Sequence, residues 1–492
     1  MMNTKSSIKK NFAYQMIYEV LIIILPFITS PYIARVIGAE GLGIYSYSYS
    51  VAYYFVLFSM LGIKNYGNRA IAQVRDDQEI LNVVFSNLTA IHILISLVCT
   101  IAYIIYILML KQDEKIYATI QIIYVLSGIF DISWFYFGIE HFKLTVTRNV
   151  IIKIANVIFV FLFVKNDDDL WKYCLIMAMG FLLSQLSLWI PLKKYVNIEK
   201  PEWGKMVVHI KPLLILFVPA IAVSLYKYMD KIMIGSLSSK AQLGYYENAE
   251  KVINIPMTII ASFGTVMLPK MSNLFAKKDK KLSQRYMLNS MEFVMCLAIA
   301  LAFGLAGVGT IFAPIFWGKK FYLSGYLIMG LSITIPFISF ANVIRTQYLI
   351  PKALDKEYLT SVIAGAVINL VVNGMLIPKQ GAVGAMIGTI MAEVVVCVWQ
   401  AIVVRKQIPI MTYVKISIRF LPAGLLMLAI VYSIGSIWNN GIVTLLIQIL
   451  VGASIYAVYC VAYFYKTQND IFIKMLNNLK KKITSKKCNN KN

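Results

Sequence analysis

Apolar stretches about as long as a bilayer is thick alternate with short polar connectors along this 492-residue chain. A hydrocarbon core of about 30 Å needs roughly 20 helical residues. The pattern therefore predicts fourteen spans, at 12–34, 42–63, 80–110, 116–138, 150–164, 170–192, 212–235, 244–269, 289–316, 325–350, 358–377, 380–404, 413–436 and 441–464. The third is long and the fifth short. None alternates apolar and polar residues over ten positions, as a transmembrane barrel requires, so the expected fold class is an all-α membrane protein.

The connectors predict an orientation. Cytoplasmic loops retain Lys and Arg while translocated loops lose them, and most of the 47 basic residues fall on every other connector and on the two tails. Both tails are expected in the cytoplasm and the chain in the cytoplasmic membrane. Duplication is also visible. Pro26 and Ile37-Gly38 precede Leu42-Gly43-Ile44-Tyr45, and about 200 residues later Pro219 and Ile234-Gly235 precede Leu243-Gly244-Tyr245-Tyr246. This divides the chain into a tail (1–11), six spans (12–192), a linker (193–211), six spans (212–404), two extra spans (413–464) and a basic tail (465–492). Repeats related by a pseudo-two-fold axis, with the substrate between them, are common in secondary transporters.

Composition agrees with a membrane class: 59% of residues are hydrophobic and 14% charged, against about 45–50% and about 25% in soluble domains. The net charge of +24 sits on membrane-proximal loops and the last tail, which points to anionic lipid rather than nucleic acid. In that tail Ile471, Phe472, Met475, Leu479 and Ile483 recur at helical spacing among lysines, the pattern of an amphipathic surface helix. Five of the six cysteines are scattered singly in spans and the sixth lies in the tail, with neither a disulfide framework nor zinc spacing. No small-residue cleavage site follows the first span, which is expected to be retained. A phosphate loop of the G-x-x-x-x-G-K-[ST] form is missing, so no ATP-driven pump is indicated. The outer connectors are too short for a catalytic domain, and the chain is read as a transporter rather than an enzyme.

A charge at the bilayer centre costs at least about 2.5–3.5 kcal/mol, so ionisable residues inside spans point to a pathway. Glu19, Arg35, Asp131, Lys153, Lys227, Asp230, Lys231, Glu247, Glu250, Lys251, Glu292, Arg345 and Glu393 are of this kind. Plainer roles compete: Glu247 and Lys251 at i and i+4 can neutralise each other. Arg35, Lys231 and Arg345 can snorkel to head groups, and Asp131, Lys153 and Lys227 can pair without transport. His92 is read as a packing residue. Tyr45, Tyr49 and Tyr53 stand four apart beside Ser46 and Ser50; they suit sugar rings, and equally the membrane interface. Gly384 and Gly388 permit close helix packing. Pro26, Pro219, Pro256 and Pro336 mark candidate bending points.

Several stretches together resemble a known family. They are Ala34-Arg35-Val36-Ile37-Gly38-Ala39-Glu40-Gly41-Leu42-Gly43, Trp134-Phe135-Tyr136-Phe137-Gly138-Ile139-Glu140, Gly244-Tyr245-Tyr246-Glu247-Asn248-Ala249, Thr346-Gln347-Tyr348-Leu349-Ile350-Pro351 and Leu376-Ile377-Pro378-Lys379-Gln380-Gly381-Ala382-Val383-Gly384-Ala385. Over roughly residues 10–465 the chain resembles the oligosaccharide repeat-unit flippases, the Wzx-type polysaccharide transporters.

The resemblance implies two six-helix bundles in a V with two terminal helices, as in multidrug and toxic-compound extrusion (MATE) transporters. The implied cargo is undecaprenyl-diphosphate-linked oligosaccharide for capsule or O-antigen. Arg35 matches by position a first-helix arginine of the related peptidoglycan lipid flippases.

On this reading Arg35, Lys153, Lys227, Lys231 and Arg345 attract the diphosphate, while Tyr45, Tyr49 and Tyr53 line the sugar path. Asp131, Asp230 and Glu393 are candidates to couple a proton or sodium gradient; no cofactor or resident metal is expected. Expected partners are the lipid-linked oligosaccharide and membrane lipids, with glycosyltransferases or a polymerase of the same pathway by resemblance. Rival readings are export of small amphiphiles or drugs and, from another class, a membrane glycan polymerase or a scaffold.

Overall fold

A computed structural model describes residues 4–438 and 441–467, with the side chains of these except 4–24, 113, 142, 226 and 227. Among the described residues the regular elements are helices: α1 (Thr4–Met60), α2 (Ile63–Val74), α3 (Gln78–Met109), α4 (Gln112–Ile129), α5 (Ser133–Gly138), α6 (Phe142–Phe163), α7 (Leu170–Leu186), α8 (Trp203–Leu237) and α9 (Lys240–Ala276). They continue with α10 (Lys280–Trp317), α11 (Tyr322–Leu331), α12 (Thr334–Ile344), α13 (Asp355–Gln380), α14 (Ala382–Val404), α15 (Ile410–Ile418), α16 (Leu421–Ile437) and α17 (Gly441–Lys466).

The protein is a multi-pass membrane protein. Among the described residues ten helices are long and apolar enough to cross a bilayer, or eleven if the pair 319–331 and 334–349, bent by 43°, is one span. The predicted amphipathic tail helix lies outside the described residues.

Sequence explains the breaks. The first two predicted spans run together in α1, interrupted at Gly38, where φ of 69° and ψ of −177° leave the helical region at a value only glycine adopts freely. The fourth span is broken between α4 and α5, where Asp131 turns the chain. The predicted short fifth span proves longer, because α6 begins eight residues before 150. Span ten breaks at Ser332 and Ile333 and ends in a π-helical turn, Arg345–Leu349. Pro336 stands in the first turn of α12, a position that tolerates a missing N–H, so the bend precedes it. Pro26, Pro219 and Pro256 lie inside helices. Side-chain caps set other starts: Asp77 accepts from the amides of Glu79 and Ile80, and Ser239 from Gln242.

Two sets of helices pack among themselves. In the first half α1, α3, α4, α6 and α7 share contacts, and α8 to α14 do so in the second, while α16 and α17 lie on α10 and on each other. α13 and α14 approach closely because α14 presents glycines: a Cβ on Gly384 would come within 2.6 Å of the Leu376 carbonyl oxygen.

The halves touch at both ends. At the Gly38 end α1 crosses α9. At the opposite, Asp131 end, a Cβ on Gly62 would stand 2.7 Å from the Leu213 carbonyl oxygen, and Tyr66 Oη lies 2.7 Å from His209 Nδ1. Space is left between the halves, away from these seals.

Candidate functional site

That space is a cavity of about 360 Å³ lined from both halves. α8 and α9 bring in Lys231, Glu247 and Lys251, α6 brings Lys153, and α1 brings Tyr45, Ser46 and Tyr49. The charges are ordered. Lys231 Nζ lies 2.6 Å from Glu247 Oε2 and 3.0 Å from Glu250 Oε2. Lys251 Nζ is 3.5 Å from Glu247 Oε1, and Ser46 Oγ donates to Glu247 Oε2 at 3.0 Å. Buried charges persist when paired and hydrogen-bonded, and this network fixes the heads of Lys231 and Lys251 toward the space. Lys153, Lys231 and Lys251 line the cavity with one carboxylate, Glu247, and Glu250 stands behind Lys231, so three cations are set against two anions.

Aromatic rings share the lining with the lysines. Tyr45 and Tyr49 stack at 5.9 Å, Tyr45 meets Tyr173 edge-on at 4.8 Å, and Tyr49 lies over Phe181 at 5.9 Å. Tyr53 is outside the lining, stacked at 3.9 Å on Tyr228, which does line the cavity. Flat faces with hydroxyl edges offer a sugar apolar contact and hydrogen bonds together.

Two further spaces adjoin this cavity in turn through shared lining residues. Pro26, Ser30 and Lys251 also line a space of about 180 Å³, which shares Phe27, Val252 and Ile255 with an apolar groove of about 590 Å³. The groove lies between α9, α10, α16 and α17, walled by residues such as Leu301, Val308, Met427 and Leu445.

The other predicted residues lie elsewhere. Arg35 is exposed and donates from Nη2 to the carbonyls of Ile315 and Phe316, at 2.8 and 3.3 Å. It thereby satisfies free carbonyls at the C-terminus of α10, where a cation also complements the helix dipole. Arg345 and Glu393 share a separate cavity of about 170 Å³ within the second half, where Arg345 lies against the Tyr358 ring at 5.7 Å. The side chains of Lys227 and Glu19 are outside those described. Asp131 sits at the Asp131 end, accepting from Ser133 N at 3.0 Å and Ser133 Oγ at 2.5 Å, with Lys64 Nζ at 3.7 Å. His92 is buried and its Nε2 lies 2.7 Å from the Gly128 carbonyl oxygen, a packing role.

Asp230 forms a second centre. Buried in the second half, it accepts from Tyr246 Oη at 2.9 Å, Thr389 Oγ1 at 2.8 Å and Asn373 Nδ2 at 2.6 Å, and Asn373 Nδ2 also reaches Asn369 Oδ1 at 3.1 Å. Among the described side chains no Lys, Arg or His pairs with this carboxylate. Asn373 Oδ1 is buried without a hydrogen-bond partner, and it occupies the space a Cβ on Gly388 would need. An orphaned acceptor beside a carboxylate gathers oxygen atoms, the ligand type that hard cations take.

Reasoning from charged residues alone missed Asn369, Asn373 and Thr389. Two asparagines four apart in an apolar span were the available signal. Lys251 and Glu247 stand out in the sequence as charges inside a span and equally as a mutual i, i+4 pair, while Tyr173, Phe181 and Tyr228 carry no signal distinct from ordinary packing.

A helical membrane protein with a charged chamber between its halves is the class this geometry defines. The chain belongs to the polysaccharide biosynthesis protein family, whose family model matches residues 8–275. It is 23% identical to the "Putative O-antigen transporter" of Shigella dysenteriae over 376 residues, 76% of this chain and 94% of the relative. Identity to the protein of the same name from Escherichia coli (strain K12) is 22% over 419 residues, 82% of this chain and 99% of the relative. Among solved structures, "Lipid II flippase MurJ, inward closed conformation" superposes with a TM-score of 0.75 at 18% identity, over 92% of this chain and 100% of that one. The MATE multidrug transporter DinF-BH reaches a TM-score of 0.57 at 15% identity, over 82% and 96%. These structures share the fold.

Proposed function

We propose that this protein is a flippase that moves undecaprenyl-diphosphate-linked oligosaccharide across the cytoplasmic membrane by alternating access, making no covalent change to it. The observation that carries the reading is the central cavity, lined from both halves by lysines and stacked aromatic rings, with an apolar groove beside it. Lysine heads suit a diphosphate, stacked tyrosines suit sugars, and the groove suits a polyprenyl tail that never needs to leave apolar surroundings. Relatives named as O-antigen transporters support the cargo class.

In this reading there are fourteen crossings in two pseudo-symmetric six-helix bundles and two extra helices, with both tails cytoplasmic and the Gly38 end outward. Lys153, Lys231 and Lys251 receive the head group, and Glu247 holds Lys231 in place. The bundles rock, sealing one end as the other opens. Asp230, Asn369, Asn373 and Thr389 would hold a coupling cation such as sodium, which would supply the charge that ties ion movement to rocking.

Lys153→Gln combined with Lys251→Gln removes two cavity cations and leaves the Lys231–Glu247 pair intact. In cells deleted for the native gene, this variant is expected to reach the membrane normally and yet cut surface polysaccharide by about tenfold or more, the equivalent of losing one or two charge-assisted contacts. Polysaccharide at the parent level would remove the cavity from the mechanism.

A further inference from the structure

At the Gly38 end the halves meet through a contact that repeats with its roles exchanged. A Cβ on Gly43 would overlap the carbonyl oxygen of Lys240, and a Cβ on Gly244 would overlap that of Ala39. Residues 39 and 43 stand to 240 and 244 as these stand to them, the mark of a self-complementary interface. Backbones approach this closely only where the side chain is a hydrogen atom.

Beside the glycines, Lys240 reaches from the second half into a pocket of the first, about 300 Å³, whose walls include Tyr47, Tyr106, Tyr117 and Glu114. Its Nζ lies 3.2 Å from the Tyr47 ring centroid and 3.2 Å from Glu114 Oε1, and donates to the Gly235 carbonyl at 3.0 Å. A ring face and a carboxylate on one nitrogen form the recognition set for an ammonium ion.

We propose that this pocket is an ammonium site whose ligand is the chain's own Lys240, and that it is a releasable latch holding the Gly38 end shut. Lys240 supplies both the carbonyl packed on Gly43 and the ammonium in the pocket, so the backbones cannot part without withdrawing the side chain. Glu114 is 40% exposed, and partly exposed ion pairs contribute little. The latch therefore biases the closed state and still releases. The inference rests on the alternating-access reading, but its readout needs no cargo, so failure of one is separable from failure of the other.

The test uses the full chain with its native cysteines replaced and Met177, which lines the central cavity, changed to cysteine. A membrane-impermeant thiol reagent is applied from the Gly38 face of oriented vesicles. Lys240→Gln and Glu114→Gln are each expected to speed labelling about five- to tenfold. The milder Tyr47→Leu, which removes the ring face and keeps Glu114, is expected to speed it less, and a single symmetric size-exclusion peak in detergent reports that each variant is folded. Gly244→Ala is expected to label fast whatever the charges. Unchanged labelling in Lys240→Gln and in Glu114→Gln, with both variants folded, overturns the latch.

Discussion

Asp131 and Asp230 are the same residue, each 5% exposed, and their surroundings assign them different work. At its end of the first half Asp131 receives the amide and hydroxyl of Ser133, two residues ahead, and the ammonium of Lys64. The amide and hydroxyl bonds close an Asx turn around Ile132, the residue that precedes α5, so Asp131 caps that turn rather than the helix itself. Asp230 gathers neutral donors from three other helices, 16 to 159 residues away in sequence, next to an orphaned amide oxygen. Depth in a membrane protein does not distinguish a structural carboxylate from an ion site. The origin of its partners does, since near neighbours shape a turn while distant ones shape a centre.

The largest effect that tests this contrast is expected from Asp230→Asn. In liposomes carrying an ion gradient and lipid-linked oligosaccharide, this variant should flip at the rate seen without the gradient. Gradient-stimulated flipping at the parent rate would make Asp230 as structural as Asp131. Next comes Asp131→Ala, expected to keep gradient stimulation and to lower stability by about 1–2 kcal/mol, the scale of losing a buried side chain's hydrogen bonds, read as an earlier melting transition in detergent. If stimulation vanished here too, the contrast would fail. Smallest is Lys64→Met. Its ammonium is 62% exposed and 3.7 Å from the carboxylate, so less than about 1 kcal/mol is expected, and a larger drop in the same melt would mean that the ion pair, not the Ser133 bonds, holds the turn.

How much of this was readable from sequence follows the same division between near and distant partners. Apolar runs and glycine breaks are local, so helices appeared wherever spans were predicted, and Gly38, Gly43 and Gly244 already stood out as a repeat. The cap at Asp131 was also local, in the Asp-Ile-Ser spacing, although its place inside a span made it look like a transport group. Arg35 could not be placed, because the carbonyls it binds are 280 and 281 residues away. Lys231 was seen as a buried cation, but Glu247 as its partner depends on how α8 meets α9. Asp230 was seen as a candidate coupling group, but Asn369, Asn373 and Thr389 around it went unread because their side chains carry no charge, and a search by charge passes over them.

Under the proposed function, the groove beside α16 and α17 would constrain which carriers the protein is able to discriminate. An isoprenoid lying in an open trough next to the bilayer makes similar contacts at each unit, and whatever overhangs the trough rests in lipid. Carriers differing in length beyond the first few units should thus be handled alike, leaving selectivity to the glycan and the phosphates.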